Sequence, residues 1–79
     1  MSSEALDFAR ETAVEAAATI RSYGAHPRPV DAVTVTAILF TMLEQRGQVH
    51  ADLDLRAKTF SALLVVVEMA MLETPEASK

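Results

Sequence analysis

The stretch Val33-Thr34-Val35-Thr36-Ala37-Ile38-Leu39-Phe40-Thr41-Met42-Leu43-Glu44-Gln45-Arg46 decides the fold class. Its first four residues alternate β-branched side chains, the pattern of a strand. The apolar pattern then continues from Ile38 through to Arg46, well past the length of a typical strand. It is also bracketed as a helix is. Pro29 suits a first helical turn, and Gly47 suits the left-handed residue that follows a last one. The segment 29–46 therefore reads as a helix. At about 100° per residue, Asp31, Thr34, Thr41 and Gln45 share a narrow polar arc, and Ile38 falls inside it. Val33, Val35, Ala37, Leu39, Phe40, Met42 and Leu43 cover most of the remaining surface. A helix this apolar around its circumference must be enclosed by neighbours.

Working outward, the stretch Gly24-Ala25-His26-Pro27-Arg28-Pro29 precedes this helix, and Gly47-Gln48-Val49-His50-Ala51-Asp52 follows it. Each opens with a glycine fit for a helix stop, and Asp52 suits the cap of a further helix. The segment before the first break, about 3–23, holds Ala5, Ala9, Ala13, Ala16, Ala17 and Ala18, and alanine is the strongest helix former. Leu6, Ala9, Ala13, Ala16 or Ala17, Ile20 and Tyr23 recur at spacings of three and four and predict one apolar stripe. Most of that stripe is small, so a neighbouring helix can approach closely. Glu4 and Asp7 at its start and Arg21 at its end follow the helix dipole. The segment after the second break, about 53–73, carries a main stripe of Leu53, Ala57, Phe60, Leu63 or Leu64, Val67 and Met71. Its second half is apolar on other faces too, at Val65, Val66, Met69 and Leu72.

These readings give an all-α chain of three antiparallel helices in one domain, 1–79, with a frayed tail from about residue 75. A monomeric three-helix bundle needs one apolar stripe per helix, whereas the second and third helices each show nearly two. Surplus apolar surface marks an interaction site. The expected interaction surface comprises Ile38, Leu39, Met42, Val65, Val66, Glu68, Met69 and Leu72. The economical occupant is a second copy of the chain in a homodimer, with a different protein as the alternative. Glu68, alone among apolar neighbours, either points to water or pairs across the interface, for instance with Arg46 or Arg56 of a neighbouring chain.

Composition narrows the function classes. Of the 79 residues 51% are apolar, too many for a disordered tail, and no cysteine is present to form disulfides, thiolate metal sites or a thiol nucleophile. Eleven acids against seven bases give a net charge of −4, which disfavours non-specific binding to nucleic acid or anionic lipid. A recognition helix would have to use Arg56, Lys58 and Thr59, yet Asp52 and Asp54 flank them and repel phosphate. His26 and His50, with Asp31 and Asp52, carry metal-ligand chemistry, but consecutive connections of an antiparallel bundle lie at opposite ends. Ser61 has no histidine in its pattern, and Gly24 and Gly47 are too isolated to cradle phosphate.

No enzymatic activity, cofactor or metal is expected. The apolar run 62–72 is too short for a membrane span, and residues 1–7 lack the marks of a signal peptide, so a cytoplasmic protein is expected. The expected function is that of a small regulator, adaptor or inhibitor acting by protein–protein contact. A nucleic-acid-binding regulator and a binder of small apolar ligands between the second and third helices are the alternatives.

Overall fold

A computed structural model describes residues 3–73 of the chain. Three helices fill this range in order: α1 (Ser3–Ser22), α2 (Pro29–Gln45) and α3 (Leu53–Glu73). They match the sequence-derived segments to within a residue at each end. The tail expected from about residue 75 lies outside the described residues.

The strand-like start of α2 is helical because its threonines fold their hydroxyls back onto the backbone. Thr34 Oγ1 donates to the Val30 carbonyl at 3.0 Å and Thr36 Oγ1 to the Ala32 carbonyl at 2.6 Å. This bond satisfies the only polar group of the Thr36 side chain and so lets it occupy a fully buried position. At the start of α2, Pro29 takes the first helical position, and the Asp31 carboxylate accepts the Arg28 backbone N–H at 2.6 Å. At its end the Gln48 N–H donates to Leu43 O at 2.9 Å and the Gly47 N–H to Glu44 O at 3.0 Å. That pair of bonds needs a left-handed residue between them, supplied by Gly47 at φ +72°. Gly24, at φ +80°, serves the same purpose after α1.

Asp52 caps α3 as its position suggested. Its Oδ1 accepts the backbone N–H groups of Asp54 at 2.9 Å and Leu55 at 3.2 Å. Its own N–H donates to His50 Nδ1 at 3.0 Å, so His50 braces the cap. Asp52→Ala leaves those two donors without their carboxylate and is expected to cost about 1 kcal/mol in a urea unfolding curve. An unchanged midpoint would show that water caps the helix equally well.

Side-chain contacts fix the helix directions. Arg46, just after α2, places its guanidinium over the Phe8 ring near the start of α1, 4.4 Å from the centroid. Arg56, in the first turn of α3, meets Glu44 in the last turn of α2 at 2.7 Å. Arg21, at the end of α1, donates through Nη2 to the Met71 carbonyl near the end of α3 at 3.2 Å. The chain therefore runs up, down and up. The third helix packs along both others, while α1 and α2 touch each other less.

The core is thin in apolar bulk. Among the described residues the buried apolar side chains are Ala5, Ala9, Ala13, Ala17, Ala32 and Ala70, with only Leu39, Leu43, Leu63, Val67 and Met71 larger. On α1 the buried line is strictly four-spaced and made of alanine, so α1 lies close against its neighbours through its Cβ atoms. Phe40 and Phe60 meet edge to face at 5.4 Å and join α2 to α3.

Three sequence expectations need correction. Tyr23 is exposed beyond the end of α1 and does not extend its stripe. Leu53 and Ala57 are exposed, so the main stripe of α3 is covered only from Phe60 onward, where α3 lies alongside both neighbours. Leu39, expected on the interaction surface, is 0% exposed and belongs to the core, because α2 turns it inward with Thr36 and Leu43.

Candidate interaction groove

The polar candidates come first, because the fold separates or employs most of them. His26 lies in the connection before α2 and His50 in the one after it, with 17 helical residues between. That helix is about 25 Å long, so the two imidazoles sit at opposite ends of the bundle. Among the described residues no three His, Cys, Asp or Glu side chains gather as a metal site would require. Arg56 pairs with Glu44 and stacks over Phe40, 5.2 Å from the ring centroid. Lys58 pairs with Asp54 at 3.3 Å. Arg46 and Arg56 are thus both engaged within the chain, at the end of the bundle away from Glu68.

The apolar candidates divide into two surfaces. On α3, Val65, Met69 and Leu72 are all exposed, Leu72 at 80%. Their spacing of four and three places them on one ridge, opposite the core residues Leu63 and Val67. The start of α2 faces this ridge, because antiparallel packing sets the first turn of α2 beside the last turns of α3. Between them runs an apolar groove of about 300 Å3, lined by Pro27, Arg28, Pro29, Ala32, Val65, Glu68, Met69, Met71 and Leu72.

Ile38 and Met42, expected on the same surface, lie elsewhere. Both are exposed, Ile38 at 56%, and with Ala37, Thr41 and Gln45 they line a separate shallow depression. Ile38 stands nine residues, or about 14 Å, along the axis from Pro29. Both residues also lie about 160° around α2 from Phe40, the side chain that meets α3. Val66 is half-buried against the core. The structure therefore brings together Val65, Glu68, Met69 and Leu72 from the expected set and leaves Ile38 and Met42 apart.

The second wall of the groove, Pro27 to Ala32, was not anticipated from the sequence. The signal that could have found it is topological. Once three antiparallel helices are assigned, the Pro27-Arg28-Pro29 turn must sit level with the end of α3.

Among the described residues Glu68 is the one acidic side chain lining the groove. It is half-buried, and among the described residues its carboxylate forms no ion pair. Arg28 lies at the opposite rim with a side chain 76% exposed, and its guanidinium Nε reaches the Asp31 carboxylate only at 3.9 Å. Chemically the groove offers an apolar floor, one carboxylate and one guanidinium. That suits the docking of an apolar side chain with a charge beside it.

Among the described residues no helix is long and apolar enough to cross a membrane. Comparison with family models, with curated proteins and with solved structures finds no match to this chain.

Proposed function

We propose that this chain is a non-enzymatic protein-interaction module, a cytoplasmic regulator, adaptor or inhibitor that works through the α3 ridge and the groove beside it. One observation carries the reading. Val65, Met69 and Leu72 form a continuous apolar ridge on the face of α3 opposite its core, beside a groove whose walls are also apolar. Leaving such a ridge in water forfeits about 1.5–3 kcal/mol for each large side chain that a partner could cover.

Val65→Lys together with Met69→Lys tests the reading. Both positions point away from the core, so helicity by circular dichroism should match that of the unaltered chain, while association and the binding of an apolar-surface dye are lost. An unaltered chain that stays monomeric and binds no such dye would contradict it.

A second reading is favoured by the groove volume, which falls at the lower end of small-ligand pockets, about 300–1,000 Å3. On that reading a compact apolar ligand fills the groove, and thermal unfolding in the presence of aliphatic or aromatic fragments should shift upward.

A further inference from the structure

We infer that the groove is one half of a two-fold interface: a second copy of this chain crosses it with its α3 antiparallel, near Met69, and sets Glu68 against the partner's Arg28. This inference rests on the proposed interaction role of the groove and names its occupant.

The first argument is the polarity of the outer face of α3. The N-terminal half of that face carries the Asp54–Lys58 ion pair, and its C-terminal half carries Val65, Met69 and Leu72. The apolar part is centred close to Met69. An antiparallel copy crossing there lays apolar surface on apolar surface and leaves Asp54 and Lys58 in water. A parallel copy would instead align Asp54 and Lys58 with their own images, and like charges directly opposed are unfavourable.

The second argument is charge complementarity. A two-fold contact requires a patch that complements itself. Among the described residues the groove carries one acid and one base, and within a chain they do not come within 4 Å of each other: there Glu68 has no ion-pair partner and Arg28 reaches only Asp31. When two antiparallel helices face each other, their two-fold axis lies in the interface plane, across the helices. That operation keeps the α2-side flank of both copies on the same side, so the two grooves merge and each Glu68 faces the partner's Arg28. Parallel packing puts those flanks on opposite sides, where the charges cannot meet. Covering the exposed Val65, Met69 and Leu72 supplies the driving force, and with so thin and alanine-rich a core that burial counts for much in a chain this small.

Charge exchange in the full chain tests the inference. Arg28→Glu alone and Glu68→Arg alone each oppose like charges in their own dimers, and each should weaken self-association about tenfold or more. Mixing these two variants pairs opposite charges at both contacts, so native mass spectrometry should show mainly the mixed dimer. The double variant, Arg28→Glu with Glu68→Arg, should recover the association of the unaltered chain and rules out a folding defect as the cause. Single variants that dimerise as the unaltered chain does, with a statistical mixture on mixing, would overturn the ion pair while leaving the interaction module standing. An unaltered chain that is monomeric at micromolar concentration yet binds an apolar-surface dye would overturn the second copy as occupant. Loss of both association and dye binding would remove the interaction role itself.

Discussion

Leu39→Ala is expected to destabilise the fold by about 2–5 kcal/mol, the cost of a buried leucine lost with a residual cavity. Leu39 is 0% exposed and belongs to the buried apolar cluster that joins the three helices. Typical stability at this length is about 4–12 kcal/mol, so the variant should be partly or wholly unfolded at 37 °C if the lower end applies. Ile38→Ala, one residue away, removes a side chain that is 56% exposed. It should lower the unfolding free energy by less than about 1 kcal/mol. Guanidinium titration followed by circular dichroism, at matched protein concentration, measures both. Equal losses at the two positions would mean that α2 is rotated relative to the arrangement described.

Ala13→Leu carries the next largest effect. Alanine and leucine differ little in helix propensity, so the helix itself should tolerate the change. The position does not. Ala13 is 0% exposed in the line Ala5, Ala9, Ala13, Ala17, along which α1 lies against its neighbours. Three added side-chain carbons there must push α1 outward, at a cost of about 1–3 kcal/mol. Val14→Leu, on the adjacent exposed face, should change stability by less than about 0.5 kcal/mol. A stabilised Ala13→Leu variant would show a void where close packing is described.

These two pairs also mark where the sequence was legible and where it was not. Helix existence and limits followed from caps and stops that act locally: Pro29, Gly24, Gly47 and Asp52 each do in the structure what their chemistry suggests. Rotation about each helix axis was harder to read. Alanines on several faces of α1 leave the phase of its stripe undetermined, so Tyr23 was drawn in although it is exposed. On α2 the polar arc of Asp31, Thr34, Thr41 and Gln45 sets Ile38 toward solvent, but the nearly continuous apolar surface outside that arc does not single out Leu39 as buried. The Phe40–Phe60 contact and the Arg56–Glu44 pair decide which side of α2 faces α3. Those are contacts between distant segments, invisible in local periodicity. For the same reason the sequence pattern joins Ile38 and Met42 to Val65, Met69 and Leu72, although the first two look away from α3. Thr36 was missed as a core residue because its hydroxyl reads as polar until its bond to Ala32 is known.

The ridge itself was visible because it needs only one helix. Val65, Met69 and Leu72 share a face at helical spacing whatever packs behind them. The groove beside it required the topology, since Pro27, Arg28 and Pro29 reach it from a different part of the chain. Glu68 gains its interest from that second wall: a carboxylate among Val65, Met69 and Leu72 faces a guanidinium that lines the same groove.

The mass of the unaltered chain in solution, followed by light scattering as concentration rises through the micromolar range, tests a second copy as the occupant of the ridge most directly. A chain that covers Val65, Met69 and Leu72 with a second copy should reach twice 8.5 kDa, and its unfolding midpoint should rise with concentration. A mass that stays at 8.5 kDa throughout, with an unfolding midpoint independent of concentration, would contradict it.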